Sequence, residues 1–572
     1  MSRLRAILTV LLLLAVAAGC ANIPEQSNPQ VAGTQDTSEP ENTVVPIDRD
    51  ADPLTIARDF VAHATNVDVA KQYLTPEAQK TWEPEAQPTI MENTYNTIPP
   101  PVQEPNNKGN EQTVLIHGTK VGRLGPDNSF IPAPGAYEDK VTVQRQADGQ
   151  WRVSKPPATT AITLDEFRSA YRQVPLYFFD SELNILVPDL RYVAQRPSQG
   201  LPSRVLQELL AGPSDMLAGP LRSLLGDAAN PSASGVAGED GDLVVSLTGL
   251  GNANLDTRNK IAAQIVLSLQ GVATGGVIKL LADNTPLVPG KPKWRASDVP
   301  SYTAPTTPSP DLPGMFVSNG RVRSLKDGNP IPGPAGAGQY NVQSAAQSIN
   351  GAQLAVVEKY GNKMRLRVGK VDGPLSIVPL TANTMTRPTW RPGANELWTV
   401  INGTTVVRLV RTKDGTWAPG SMNSSTLASF GPITTMRLSR DGTRLAMVAG
   451  GRLAVAGVDR NGDTVSVRLP RRLMEDQLQD VVDVDWMGPF TLAVAADEGR
   501  DSVLSVPFDG SQEVPYDISN LTLPVRSIAA APNSPLTVTD KESRVWTSSV
   551  PGEAWRSQGV SGFSDPLPFY PG

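Results

Sequence analysis

Apolar positions change rhythm along this chain, and each rhythm predicts different elements. In the last part a polar turn followed by a leucine-led apolar run recurs five times: Asn350-Gly-Ala-Gln-Leu-Ala-Val-Val357, Pro392-Gly-Ala-Asn-Glu-Leu-Trp-Thr-Val400, Asp441-Gly-Thr-Arg-Leu-Ala-Met-Val448, Pro489-Phe-Thr-Leu-Ala-Val-Ala495 and Asn533-Ser-Pro-Leu-Thr-Val538. The leucines stand at 354, 397, 445, 492 and 536, with gaps of 43, 48, 47 and 44 residues. A following strand is legible after several of these turns, as in Arg452-Leu-Ala-Val-Ala456 and Ser502-Val-Leu-Ser-Val506. Between Leu164 and Leu287 strands alternate with helices. Pro175 to Phe179 and Ile185 to Val187 read as strands around a turn at Asp180 to Leu183. Ser203 then caps a helix carrying Val205, Leu206, Leu209 and Leu210, which stops at Ala211-Gly212-Pro213 because proline cannot continue a helix. Strand Leu243 to Leu247, a helix from Asp256 to Leu269 with Ile261, Ile265 and Leu269 on one face, and strand Val277 to Leu281 complete that stretch.

Nearer the amino terminus, Asp52-Pro53 opens a helix with Leu54, Ala57, Phe60 and Val61 at helical spacing, and Thr75-Pro76-Glu77 opens a shorter one ending near Trp82. Past Pro99-Pro100-Pro101, strands are expected over Thr113 to Ile116 and Lys120 to Leu124. Val141 to Val153 alternates around Asp148-Gly149, a hairpin pattern. Prolines at 286, 289, 292, 300, 305, 308 and 310 mark a stiff, solvated connector.

Periods between 40 and 50 residues with about four strands each are what a β-propeller blade requires. Met315 to Ser324 looks like the outer part of a blade without its inner strand, and Gly562 to Pro571 lacks outer strands. Joined, they would make a sixth blade and hide both open edges. Six blades are expected, with five or seven as alternatives and a β-sandwich as the competing architecture.

The first residues settle the compartment. Arg3 and Arg5 precede an apolar run, Ile7 to Val16, too short to cross a bilayer as a stable helix, so residues 1–19 read as a signal peptide. Ala17, Ala18 and Gly19 directly before Cys20 resemble the lipobox, although Ala17 stands where lipoboxes more often carry leucine. The resemblance implies cleavage between Gly19 and Cys20 and a cysteine bearing S-diacylglycerol and N-palmitoyl chains. Cys20 is the only cysteine of 572 residues, which leaves no intrachain disulfide. Each buried methylene contributes roughly 0.8 kcal/mol, so several acyl chains hold where one would not. Residues 20–50, with Pro24, Pro29, Pro40 and Pro46 among polar residues, read as a disordered tether.

Two units carry resemblances of their own. Helices on an antiparallel sheet ending in Asp148-Gly-Gln-Trp-Arg-Val153 resemble an NTF2-like α+β domain over residues 51–160. Leu209-Leu-Ala-Gly-Pro213 followed by strand, helix and strand resembles the GerMN domain of sporulation and germination proteins, here 161–287. A connector over 288–313 and an all-β propeller over 314–572 complete a multidomain α+β, α/β and β chain.

Composition removes most chemistry. Net charge is -6, which asks for neither nucleic acid nor an anionic surface. The two histidines, His63 and His117, give no metal-ligand spacing. No serine stands three positions before a lysine, no G-x-S-x-G elbow occurs, and Gly369-Lys370 lacks the earlier glycine of a P-loop. No catalytic residue, metal or cofactor is expected. Asp483 and Asp485 alternate on a strand and face one side, which could serve two glycosidase carboxylates or a calcium pair. Asp459-Arg-Asn-Gly-Asp463 resembles the start of a calcium loop but reads as a hairpin turn. Trp390, Trp398, Trp486, Trp546 and Trp555 fall in the propeller, most as core, with one or two at a rim where partners bind.

The order of lipobox, NTF2-like unit, GerMN-like unit, proline connector and propeller resembles the LpqB lipoproteins of actinobacteria. The features that carry it are Ala17 to Cys20, Leu209 to Pro213, and the repeats ending in Asp565-Pro566 to Tyr570-Pro571-Gly572. The resemblance implies a non-enzymatic lipoprotein on the outer face of the cell membrane that binds the extracytoplasmic domain of an MtrB-like sensor histidine kinase. That kinase belongs to a two-component system affecting envelope and cell division. A cell-wall glycan-binding protein and a glycan- or peptide-hydrolysing enzyme are the alternatives.

Overall fold

A computed structural model describes residues 48–572 apart from 85–86, 102–108, 199, 226–233, 238–240, 251–252, 274, 304–305, 498–501 and 561. The signal peptide, the lipobox and nearly all of the tether lie outside the described residues. Among the described residues, no helix is long and apolar enough to cross a membrane.

Among the described residues the first helix, Pro53–Ala62, begins where the side chain of Asp52 accepts from the backbone N–H of Leu54 and Thr55, a cap contributing about 1 kcal/mol. Asn66 and Thr75 cap the short helices Val67–Gln72 and Pro76–Thr81 in the same manner. These helices lie on a five-stranded sheet in which Trp151–Lys155, Phe130–Arg145, Glu111–Leu124, Thr89–Ile98 and Ala161–Thr163 are successive neighbours. The hairpin at Asp148-Gly149 is present, with Gly149 at φ +86°. Two expected strands, 113–116 and 120–124, are one strand whose register slips between Lys120 and Gly122, because a bulge bends a ladder without ending it. Ala161–Thr163 runs parallel to the start of Thr89–Ile98, so this unit extends past residue 160. A Thr163–Glu166 capping box then opens helix Leu164–Ala170.

The next unit starts with a long hairpin, Tyr171–Asp180 and Leu186–Ala194, with Leu221–Arg222 on its edge. Its turn is held by Asp180, which accepts from the N–H groups of Asn184 (2.7 Å) and Ile185 (2.9 Å). Helix Leu201–Ala211 starts two residues before the expected cap Ser203. Gly200 occupies the cap position and Pro202 the first turn, where its missing N–H costs nothing. Gly212 ends the helix at φ +93°, ψ −173°. Strands Leu243–Leu247 and Ile278–Ala282 pair in parallel, joined across helix Leu255–Leu269, whose Ile261, Ile265 and Leu269 are all fully buried. The proline-rich stretch is less solvated than its composition suggests. Thr285–Pro286 and Lys293–Trp294 pair with Ile278–Ala282, Trp294 and Val299 are buried, and Tyr302 packs edge-on against Phe179. Apolar residues at intervals among the prolines anchor it.

Six sheets follow. Five begin with an innermost strand: Val342–Gln347, Thr389–Trp390, Ile433–Leu438, Val481–Trp486 and Ser527–Ala529. Leu354, Leu397, Leu445, Leu492 and Leu536 each sit on the second strand of their sheet, no more than 1% exposed. Each is worth about 1.5–3 kcal/mol of burial. In the remaining sheet Leu567–Phe569 pairs with Met315–Ser318, which pairs with Arg321–Ser324. The carboxyl-terminal strand thus supplies the inner position of a sheet whose other strands precede all the rest.

Candidate functional site

Asp483 and Asp485 lie on the innermost strand Val481–Trp486, both buried, at the hub where the inner strands meet. Their shared face is as the alternation predicts, but it is filled with cations that no local pattern reveals. Arg437 Nη2 and Thr435 Oγ1 donate to Asp483 Oδ1 at 3.4 and 3.3 Å, and the N–H of Ile528 donates to Oδ2 at 3.2 Å. Asp485 Oδ2 accepts from Arg387 Nη2 at 3.1 Å and from the N–H of Ala530 at 3.3 Å. Arg440 crosses the hub, donating to the carbonyls of Trp486 (2.6 Å), Ala530 (2.8 Å) and Pro571 (3.2 Å). Burial pushes Arg437 and Arg440 down to about 10, which leaves both charged at neutral pH. Against its own burial, Arg387, Arg437 and Arg440 hold the Asp485 carboxyl below the usual range. Both carboxylates are committed to donors, an arrangement suited to pinning inner strands together.

The other sequence candidates resolve locally. Asp459 to Asp463 spans the turn between Arg452–Asn461 and Thr464–Arg472, with Gly462 at φ +58° and Asp459 facing Arg468 at 3.5 Å. His63 Nδ1 lies 2.7 Å from the carbonyl of Asp59, and its ring stacks on Tyr73. His117 lies half-buried on strand Glu111–Leu124. Trp390, Trp398, Trp486 and Trp555 are buried, leaving Trp546 half-exposed. Among the described residues no group of three His, Cys, Asp or Glu side chains could hold a metal ion.

The units meet in a junction organised on Tyr192. Its backbone N–H donates to the carbonyl of Asn128 in the first unit (2.9 Å). Its ring packs with Phe167 and Phe130, at 4.9 and 6.4 Å between centroids. Its hydroxyl reaches Asp509 Oδ2 (2.9 Å) and Ser511 Oγ (2.5 Å) beyond the third unit's sheet edge. Arg444, fully buried, joins the middle unit to the sheets by donating to the carbonyls of Pro188 (3.1 Å) and Pro489 (2.6 Å) and to Asp441 (2.5 Å). Glu182 pairs with Arg391 at 2.7 Å, and Asn128 donates to Glu208 at 2.7 Å. One apolar cluster runs from Ile265 through Val187 to Val448 and Phe508, crossing from the middle unit into the sheets.

Beside this junction a cleft of about 730 Å³ opens between the first unit and the sheets, a volume typical of ligand sites. One wall holds Glu92, Asn93 and Thr94, Val121, Pro132 and Arg168; the other holds Phe430, Arg471, Arg472 and Met474, with Gly510 to Glu513 beside them. Glu92 to Thr94 enter it because the register of Thr89–Ile98 slips between Met91 and Tyr95, and bulges re-aim side chains. Sequence reasoning missed the cleft. Its residues come from segments hundreds of positions apart, and only the adjacent pair Arg471-Arg472 on an outer strand was a visible irregularity.

Comparison with known families follows this organisation. Residues 46–168 match the model of "Lipoprotein LpqB, N-terminal domain", 175–288 that of "Sporulation and spore germination" (Germane), and 320–571 that of "Lipoprotein LpqB beta-propeller domain". The chain is 31% identical over 554 residues to Lipoprotein LpqB of Nocardia farcinica, covering 91% of this chain and 90% of that one. It is 29% identical over 549 residues to that of Rhodococcus jostii, with coverage of 91% and 90%. For Mycobacterium tuberculosis the figures are 28% over 562 residues and 93% of each chain. Among solved structures, the Myceliophteria thermophila Cps50 (Swd1) beta-propeller domain overlays 37% of this chain and 68% of its own at 11% identity and a TM-score of 0.28, too low to carry an argument. Near-complete coverage at 31% identity, with family matches to all three units, makes this chain a member of the LpqB lipoprotein family.

Proposed function

We propose that this protein is a non-enzymatic lipoprotein, held on the outer face of the cell membrane by acyl chains on Cys20. In this reading it binds the extracytoplasmic domain of an MtrB-like sensor histidine kinase and biases that kinase's output. Its six sheets are then the six blades of a propeller, and its first unit is NTF2-like. The observation that carries the reading is the contrast between the hub and the cleft. The acidic pair that sequence offered for hydrolysis, Asp483 and Asp485, is tied up by Arg387 and Arg437, whereas an open cleft of about 730 Å³ is built jointly by two units. Sequence at Ala17 to Cys20 and kinship with proteins named lipoproteins support the anchor.

Anchoring confines both partners to one surface, so a modest affinity is raised by effective concentration. A regulator that prefers one state of the sensor shifts its equilibrium by that preference and by no more. The test is crosslinking in intact cells through a photo-reactive residue at Thr94 or Gln512, with mass spectrometry of the captured proteins. Capture of a sensor kinase's extracytoplasmic domain is the expected result. Capture of wall glycan alone would replace this reading by a glycan-binding or glycan-hydrolysing one.

A further inference from the structure

Arg471 is out of keeping with the buried arginines of the interior. It sits at the end of the outer strand Thr464–Arg472, half-buried, on the cleft and beside the junction. Arg444, Arg437, Arg408 and Arg460 each donate to a carboxylate. For Arg471, by contrast, no acceptor lies within hydrogen-bonding distance among the described residues. The carboxylates acting on it are Asp509, Asp189 and Asp127, and each is already engaged. Asp509 accepts from Tyr192 and Ser511, Asp189 from Arg191 and Ser214, and Asp127 from Ser129. A half-buried guanidinium with no protein acceptor favours an acceptor brought by a ligand.

The opposite wall carries a second available cation. Arg168 is exposed, and its only close carboxylate is Asp165 at 4.0 Å. Arg472, the third guanidinium of the cleft, is satisfied by Glu475 at 2.8 Å. Between the walls lie Phe430, Met474, Val121 and Leu164, apolar surface that a bare inorganic anion would leave wet. Glu92 and Glu513 share the lining, which disfavours a uniformly acidic ligand. The register break at Glu92 to Thr94 presents strand backbone beside the opening, suited to an extended main chain.

The geometry points to this cleft as the seat of an extended peptide segment of a partner protein, bearing one aspartate or glutamate among apolar residues, with its carboxylate on Arg471 and Arg168. This rests on the partner-binding reading above and names the surface and the chemistry it uses.

The experiment selects a random-peptide library on the full chain in detergent, and in parallel measures capture of the sensor kinase's extracytoplasmic domain. Wild type should enrich peptides with a single acid flanked by apolar residues. Arg471→Gln should weaken them by about 10- to 100-fold, the worth of a charged hydrogen bond. Thr94→Glu, on an exposed wall position, should weaken them through repulsion and covers the case in which Arg471→Gln disturbs folding. Selected peptides without an acid, or equal binding to wild type and Thr94→Glu, would overturn the proposal. Selection of acidic peptides lost in the variants, with no capture of the sensor domain, would keep the cleft and remove the kinase. Equal capture of the sensor domain by wild type and Thr94→Glu would keep the kinase and remove the cleft.

Discussion

Tyr192 is the residue on which the three units most visibly depend, because it stands in the middle unit while its backbone and ring engage the first and its hydroxyl the third. Tyr192→Phe keeps the ring and strands an Asp509 oxygen, and should cost about 1–3 kcal/mol in denaturant unfolding. Glu396 makes a second prediction. Against its burial, Arg460, Arg408 and the Trp398 N–H hold its carboxyl down at about 2. Its folded value lies below its ordinary 4.5, so its contribution is complete above that value and is lost as pH falls towards 2. Glu396→Gln leaves two buried guanidiniums short of a counter-charge and should cost about 3–5 kcal/mol at neutral pH. Unfolding measured at descending pH should show that deficit narrowing. At this scale the sequence was half legible. Alternation placed Asp483 and Asp485 on one face, but their partners Arg387 and Arg437 are 98 and 46 positions away, and no periodicity links them.

At the scale of elements, what was legible is what burial and turn chemistry write directly into neighbouring residues. The five leucines, the Asp52-Pro53 start, the Asp148-Gly149 hairpin and the Ala211-Gly212-Pro213 stop all act locally. Strand Thr89–Ile98 escaped because beyond Met91 it is largely polar and exposed, and its pairing rather than its side chains makes it a strand. The cap at Gly200 was read as Ser203 because capping statistics favour serine, while Pro202 had already fixed the first turn. Gly212 tests the stop. Its φ of +93° with ψ of −173° is open to glycine alone, and a methyl group there would meet nothing within 4 Å. Gly212→Ala should therefore cost about 1–3 kcal/mol through backbone strain alone, read as a lowered Tm. At the seam, Phe569 is 1% exposed and packs with Met315, Val317 and Val322. Phe569→Ala should cost about 3–5 kcal/mol and raise protease sensitivity around residues 315–324.

For the molecule as a whole, the shared apolar cluster and the Arg444 and Tyr192 bridges tie the units into one body from Asp50 onward. Heating should give one cooperative transition rather than separate ones, checked by comparing calorimetric with van't Hoff enthalpy. Asp509 lends that junction a pH dependence opposite to that of Glu396. Burial pushes its carboxyl up, against bonds from Ser511 and Tyr192. The folded state therefore takes up its proton more readily than the unfolded chain, and this contribution favours folding as pH falls through the raised value. Relative to wild type, Asp509→Asn should be most favourable at neutral pH and lose that advantage towards pH about 4, the unperturbed range. The division into units was legible from composition and rhythm. Their interlocking was not, because it is made by single side chains reaching across folds.

The pairing of Leu567–Phe569 with Met315–Ser318 also sets an order of events in time. Ser318 bonds to the carbonyl of Ser564, 246 positions away, so the sheet that contains Met315–Ser318 waits until synthesis has passed Phe569. Until then Met315–Ser318 offers an unfilled edge to any passing strand. A chain stalled before Leu567 would therefore hold the other sheets and a sticky gap. Quality control could recognise unfinished molecules by that gap alone.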